Sequence, residues 1–270
     1  MILDIYNDSI KYSIKNSKSL LYFGLTLFST FIIWMAYILI LIHYQDANLN
    51  LKFASLIVPS LLTLIPIFLF LGYEYRILEI STHGMINGTD KVPEFNNLKE
   101  MLINGVKIFL VKFVYFAVPI ILAVTTTPFL DNISGGIIQT AGATISMILA
   151  IILYFVSFIS LSNMAAHDNF KKAFDFKEIK EVILTIGPAR YVLFYIGLLI
   201  IECVIAFVLF AITMIAMMII GTSGINTLTS PEPLWWAMFF LTNLIFSLII
   251  ALAELFKTRG IGLIYEPVEE

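Results

Sequence analysis

The sequence has few charged residues, few histidines and almost no cysteine. Only 13% of its 270 residues are Asp, Glu, Lys or Arg, three are His, and Cys203 is the sole cysteine. Because a soluble domain has about 25% charged residues, this composition excludes an ordinary soluble protein. A lone cysteine also excludes an internal disulfide framework. The net charge of −3 gives no basis for binding nucleic acid.

Hydrophobic residues make up most of the chain. The chain is 60% hydrophobic and its mean hydropathy is +0.95. Six predominantly apolar segments reach the length of about 20 residues that a helix needs to cross a bilayer. We therefore predict an all-α bundle of six transmembrane helices, forming one polytopic membrane domain over residues 1–270. The predicted spans are Leu20–Ile42, Phe53–Tyr73, Ile108–Pro128, Ile137–Asn163, Tyr191–Ile220 and Leu234–Leu255.

Lysine and arginine are distributed unevenly between the connections. Of the 16 basic residues, 15 lie in four regions. These are the N-terminal arm, the second connection and the fourth connection, each taken with the start of the span that follows it, and the C-terminal segment. The exception is Lys52, in the first connection. Basic residues accumulate on the cytoplasmic side of a membrane. The pattern therefore predicts a multi-pass cell-membrane protein with both termini in the cytoplasm, and it requires an even number of spans.

Three segments on the predicted cytoplasmic side have the periodicity of amphipathic helices. Residues 3–17 place a row of apolar side chains on one helical face. Residues 97–107 and 175–186 each begin with a capping-box pattern, in which a polar residue is followed three positions later by Glu. We predict amphipathic helices at the inner membrane interface; the alternative is that each segment is the start of the following span. The diagnostic residues are Leu3, Tyr6, Ile10, Ile14, Asn97, Glu100, Asp175 and Glu178.

The order of amphipathic helix, span, short outer loop and span occurs three times. It predicts a threefold parallel repeat with units 1–92, 93–173 and 174–270. Local similarity between the second and third units supports it, because Phe95-Asn-Asn-Leu-Lys-Glu is similar to Phe176-Lys-Glu-Ile-Lys-Glu at an offset of 81 residues.

Residues 72–107 carry a specific series of short motifs, in order Gly72-Tyr73-x-x-Arg76, Gly88-Thr89-Asp90, Pro93-x-Phe95 and Gly105-x-Lys107. The series resembles that of a family of archaeal integral membrane proteins of unknown function. It departs from the family at the turn, where the family has a Gly directly followed by an acidic residue. More distantly, the layout is similar to the membrane part of bacterial glycerophosphodiester phosphodiesterases. The resemblance implies a membrane fold and an archaeal plasma membrane, and it implies no activity for any residue.

Glu202 is the strongest candidate for a functional side chain. It follows Tyr191 by 11 positions, which is about 16 Å along a helix and close to the predicted bilayer middle. An ionisable group at that depth is expensive, so it should be protonated or have a partner. The functional interpretation is a proton or cation transport site. The structural alternative is a protonated carboxyl that bonds a hydroxyl on a neighbouring span.

Weaker candidates lie at the predicted inner face. Arg76 is expected either to pair with Glu79 along the helix or to contact an anionic headgroup. His83 and His167 both follow the end of an even-numbered span, and they are expected at the surface unless the repeat brings them together. No His-x-x-x-His or Cys-x-x-Cys pattern is present, so we predict no metal site and no cofactor. Asn132 begins a glycosylation sequon in a predicted outer loop.

Two classes of function stay open. The first is a non-enzymatic protein that transports or handles a small molecule or lipid, with Glu202 as the coupling residue. The second is a structural subunit that docks a partner protein or a second copy at its cytoplasmic face. An enzyme is not expected, because the spans offer one mid-depth carboxylate and neither a nucleophile elbow nor a phosphate-binding loop.

Overall fold

The computed structural model describes residues 1–43, 49–130, 137–222 and 233–265. In these ranges the chain is helical with short connecting turns, and it contains no strand. The helices in them are α1 (Ile2–Ile14), α2 (Ser17–His43), α3 (Leu49–Ser55), α4 (Ile57–Thr82), α5 (Leu98–Leu130), α6 (Ile137–Ala166), α7 (Phe176–Ile186), α8 (Pro188–Thr222) and α9 (Pro233–Ile264), with a short 3₁₀ helix at Phe170–Phe174.

Six helical segments in the described ranges are long and apolar enough to cross a bilayer. They lie in α2, in α3 with α4, and in α5, α6, α8 and α9. The prediction of an all-α chain with six candidate spans is therefore confirmed. Each predicted span lies within one of these helices, except the second, in which a break at Leu56 separates α3 from α4.

Both ends of the described chain lie at the same end of the bundle. The Tyr6 hydroxyl of α1 donates to the backbone oxygen of Phe194, near the start of α8. Asp8 of α1 pairs with Arg259, near the end of α9. We call this the polar end; it comprises α1, α7, the connection 83–97 and the helix ends beside them. The opposite end is the apolar end.

The segments predicted to be amphipathic helices differ from one another. Residues 176–186 form a separate helix, α7, because the side chain of Asp175 caps its start and Gly187 ends it with a φ of 90°. Pro188 then begins α8. Residues 98–107 are instead the first turns of α5, as the alternative interpretation expected, because no proline interrupts the helix there. The threefold repeat stays a prediction.

In α1 the face that packs on the bundle is not the predicted apolar face. Its buried side chains are Ile5, Asp8, Ser9, Tyr12 and Ser13. Three residues of the predicted face, Leu3, Ile10 and Ile14, point away from the protein and are exposed. The helix therefore docks through Ile5, Tyr12 and the small or polar side chains between them, and it leaves an apolar row uncovered.

A close crossing of α4 and α5 explains two glycines of the motif series. A Cβ atom on Gly72 would lie 1.8 Å from the backbone oxygen of Met101. A Cβ atom on Gly105 would lie 1.9 Å from the backbone oxygen of Phe68. Both distances are far inside van der Waals contact, so only glycine lets the two backbones approach this closely.

Candidate functional site

Charged side chains gather at one level of the bundle, on four of the spanning helices. Lys112 of α5 donates to both carboxylate oxygens of Glu74 on α4, each at 3.0 Å. Lys257 of α9 lies 2.6 Å from a carboxylate oxygen of Glu254 and 3.5 Å from one of Glu202 on α8. Glu74 and Lys257 are close enough to interact electrostatically. We call these five residues the charged layer.

The charged layer lies where the uncharged parts of the helices begin. Beyond it, towards the apolar end, residues 57–73, 113–130, 203–222 and 233–253 contain no Asp, Glu, Lys, Arg or His. These stretches have roughly 17–21 residues each, which is the length that crosses a hydrocarbon core of about 30 Å. Their agreement indicates that the charged layer marks the boundary of the apolar zone.

Glu202 therefore has a different setting from the predicted one. The prediction placed it near the bilayer middle, with a partner or a proton. In the structure it pairs with Lys257 and keeps 35% of its side chain exposed. The uncharged stretch beyond it is long enough to span the apolar zone alone. The lysine partner could not be foreseen, because sequence distance gave no sign that the end of α9 returns to α8.

A narrow, shallow cleft with a volume of about 10 Å³ lies beside Glu202 between α6, α8 and α9. Its walls are largely aromatic and leucine side chains, and Glu202 and Lys257 are its charged members. At the polar end the cleft is closed by aromatic contacts, since Phe158 and Tyr195 stack with centroids 5.3 Å apart. The remaining lining residues are Tyr154, Phe155, Leu198 and Leu199.

Beyond Leu198, α8 is uncovered. No later α8 residue with a described burial is buried, and Leu199, Val204 and Phe207 are exposed. The facing part of α6 is similar, with Ile148 and Ile152 exposed. The cleft is therefore open sideways, towards the surroundings of the apolar zone.

A second charged cluster at the polar end was missed from the sequence. Arg259 is 1% exposed and donates from Nε to Asp8 at 2.9 Å and from Nη2 to Asp90 at 2.7 Å. Its guanidinium also lies 4.6 Å from the ring centroid of Tyr12. We call these four residues the Arg259 cluster. Burial raises the pKa of the Tyr12 hydroxyl well above its usual range, which keeps that hydroxyl neutral.

A compositional signal could have pointed to this cluster. The chain has only three arginines, Arg76, Arg190 and Arg259, among 16 basic residues. A guanidinium offers a planar fork of donors that an ammonium cannot replace. In a lysine-rich chain, an arginine is therefore a candidate for a multiply bonded position.

Arg76 has such a position too, although not the predicted one. Its guanidinium lies 3.2 Å from a carboxylate oxygen of Glu100 and donates to the backbone oxygen of Asn96 at 2.7 Å. It therefore pairs across to the start of α5 instead of along α4 to Glu79. Its role is to hold the connection before α5 against α4.

The two candidate histidines have the same local geometry. Nδ1 of His83 lies 3.0 Å from the backbone oxygen of Glu79, and Nδ1 of His167 lies 3.0 Å from that of Asn163. Each ring thus caps the end of its own helix. His167 also approaches Glu178 of α7 at 3.4 Å. The described residues hold no cluster of three or more His, Cys, Asp or Glu side chains fit for a metal ion. Asn132, the predicted glycosylation site, lies outside the described residues.

Comparisons with other proteins bear on this arrangement. Searches of curated proteins and of solved structures found no match. One family model, described as "Protein of unknown function (DUF4013)", matches residues 55–221, which is more than half of the chain. The match includes the motif series at 72–107 and the charged-layer residues Glu74, Lys112 and Glu202. The chain therefore belongs to the DUF4013 family.

Proposed function

We propose that this membrane protein binds and handles a lipid or another amphipathic small molecule along the cleft between α6, α8 and α9, without changing it chemically. The cleft is too small to enclose such a molecule, so the observation that carries the proposal is the uncovered apolar surface of α8 beside it, which ends at the charged pair of Glu202 and Lys257. An amphipathic molecule has the matching order of groups, with a polar head beside Glu202 and Lys257 and a chain along the aromatic and leucine walls.

The chemistry of the lining favours binding over catalysis. A hydrolase needs a nucleophile with a base, or a metal with its ligands. The described cleft residues supply one carboxylate, which an ammonium neutralises, together with aromatic and aliphatic side chains. Apolar walls around a few polar groups are typical of small-molecule sites.

The proposal includes a cell-membrane location with both termini in the cytoplasm. The uneven distribution of basic residues supports this orientation. The polar end then faces the cytoplasm, and α1 and α7 lie at the inner interface. The exposed row Leu3, Ile10 and Ile14 supports an interfacial α1, since an apolar face beside headgroups gains by burial among acyl chains. An archaeal origin and the distant likeness to glycerophosphodiester phosphodiesterases stay predictions.

Photolabelling tests the proposal. The protein is reconstituted in liposomes that contain a phospholipid with a diazirine in its acyl chain. We expect the label at cleft residues such as Leu199, above the level on lipid-facing residues elsewhere. Leu199→Trp fills the cleft and should lower the labelling of Tyr154 and Phe155. Val204→Trp is the matched control, because Val204 is exposed on the same helix and lies outside the cleft.

Uniform labelling of all exposed helix faces, unchanged by Leu199→Trp, would contradict the proposal. Native mass spectrometry of the gently purified protein gives a second readout. A retained lipid that Leu199→Trp removes supports lipid handling. A stoichiometric second protein, or a second copy, with no lipid favours the alternative of a partner-docking subunit.

A further inference from the structure

A groove at the polar end is distinct from the cleft. It lies between α4, α5 and the turn after α6, it encloses about 510 Å³, and it shares no lining residue with the cleft. Its wall follows α5 from Asn97 to Lys107, which is about 15 Å of helix. Its lining includes Tyr75, Glu79, Asn104, Lys107 and Asp168.

The setting of the Asn104 side chain in this groove points to a ligand. It is only 5% exposed and it lines the groove. Its side-chain amide has no hydrogen-bond partner in the described part of the chain, yet it is not among the fully enclosed polar groups there, so it opens onto the groove. Buried amides in proteins nearly always have a partner, from protein or water, and a ligand in the groove could take the place of that water.

Lys107 lies near this amide, and its ammonium has N–H groups that can donate to a ligand. The two residues are three positions apart on α5 and therefore share a face. The carboxylate nearest to the Lys107 ammonium is that of Asp168, at 3.8 Å, beyond hydrogen-bond distance. Asp168 instead accepts from the Tyr75 hydroxyl at 2.9 Å. Asn104 and Lys107 together can therefore donate to an anionic group.

Glu79 offers the opposite charge in the same groove. It follows Tyr75 by one turn of α4, about 6 Å along the helix. Its carboxylate accepts no hydrogen bond and has no ion pair within 4 Å in the described part of the chain. The neighbouring Glu100 is already held by Arg76 at 3.2 Å. Glu79 is thus the carboxylate available to an ammonium.

We propose that the groove binds a zwitterionic molecule, with its anionic group at Asn104 and Lys107 and its primary ammonium at Glu79. A phosphoethanolamine group has this chemistry, either as a free molecule or as the head of a phospholipid. The groove lies one to two turns beyond the charged layer along α4 and α5, and a lipid headgroup could reach that level. The site is independent of the cleft and of its proposed function.

Titration with soluble phosphoethanolamine tests the site in the purified full chain. We expect saturable binding that Glu79→Gln and Asn104→Leu each weaken about tenfold or more, because the first removes the charge that pairs with the ammonium and the second removes a hydrogen bond to the anionic group. Phosphocholine should bind less tightly than phosphoethanolamine, since its trimethylammonium has no N–H to donate. Glu181→Gln is the matched control, because Glu181 is exposed on α7 and lies outside the groove.

A second arm separates the two sources. The protein is placed in vesicles with and without phosphatidylethanolamine, and lipid retention is followed by native mass spectrometry. Retention that Glu79→Gln abolishes, with or without binding of the soluble compound, supports the site. The proposal is overturned if neither probe binds, or if Glu79→Gln binds as wild type does. Since Glu79→Gln is isosteric, an unchanged melting temperature of the unliganded variant excludes misfolding as the cause.

Discussion

The two ends of the bundle are built differently, and α8 shows the difference within one helix. Near the polar end Tyr191, Phe194, Tyr195 and Leu198 are buried, while towards the apolar end its described side chains are exposed or half-buried. Around an apolar zone, lipid solvates leucine and isoleucine as well as protein does, so no hydrophobic force draws these helices together. At the polar end the helices meet water, so the burial of apolar side chains there favours packing of the helices. The bundle is therefore stabilised mainly at one end and left open to ligands at the other.

The largest expected effect is at the Arg259 cluster. Arg259→Leu leaves the buried Asp8 and the half-buried Asp90 without their cation, which should lower the free energy of unfolding by about 3–5 kcal/mol. Thermal unfolding in detergent measures it. The control is Lys18→Leu, at an exposed position of α2, which should change stability by less than about 0.5 kcal/mol. A small loss for Arg259→Leu would mean that the polar end does not dominate stability.

A matched pair on α6 tests the comparison directly. Ile159 is 0% exposed near the polar end and Ile152 is 52% exposed nearer the apolar end. Ile159→Ala should cost about 2–5 kcal/mol because it leaves a cavity. Ile152→Ala should cost well under 1 kcal/mol, because lipid or detergent fills the space. Equal losses in chemical denaturation would show that both ends are packed alike.

The close crossing of α4 and α5 gives a third test. Gly105→Ala forces a Cβ atom against the Phe68 backbone oxygen, and such overpacking costs about 1–3 kcal/mol. Gly260→Ala is the comparison, since its Cβ would lie 3.2 Å from the ring edge of Phe194 and meets no backbone atom as closely. We expect a clearly larger fall in melting temperature for the first variant than for the second. Tolerance of Gly105→Ala would contradict the crossing geometry.

A smaller effect is expected in the charged layer. Glu202→Gln removes one ion pair, but Lys257 keeps Glu254 at 2.6 Å. Because Glu202 is about one-third exposed, the loss should stay below about 1 kcal/mol. If Glu202 contacts a bound headgroup, lipid retention should fall while the melting temperature holds. A large loss of stability would mean that the carboxylate is structural.

The smallest effect on folding is expected on the outer face of α1. Ile10→Glu should leave the melting temperature unchanged, because the Ile10 side chain is exposed. It should weaken the binding of α1 to the membrane surface, which is measured with a fluorescent probe on α1 as a loss of quenching by brominated lipids. Ile10→Leu is the control, because it keeps an apolar side chain at the same position. Equal quenching in all three proteins would argue against an interfacial helix.

Much of the architecture could be predicted from the sequence. The spans follow from runs of apolar residues, because bilayer thickness sets one length for all of them. The cap at Asp175 and the helix break at Gly187 and Pro188 also rest on local chemistry. The continuity of α5 could not be predicted in the same way, because a capping-box pattern predicts where a helix begins and not whether it stops before the next span.

The site could be predicted only in part. Glu202 stood out because a carboxylate in an apolar run is rare, yet its partner Lys257 depends on tertiary packing. Asp8 lies opposite the apolar row in the sequence pattern of residues 3–17, which favours a solvated position, while α1 in the structure turns it inward to meet Arg259. Asn104 carried no signal at all, because an asparagine becomes informative only once its burial and its missing partner are known. Contacts between distant segments decided each of these outcomes.

The bond between Asp8 and Arg259 also sets an order of events during synthesis. Asp8 leaves the ribosome first, and its partner follows 251 residues later. Until α9 has been inserted, Asp8 and Asp90 have no guanidinium to pair with. The polar end is therefore completed last, when the late part of the described chain meets the early part. A chain that stalls before α9 would leave two carboxylates at the polar end without their cation, and quality-control factors could distinguish it from a finished molecule by that unpaired charge.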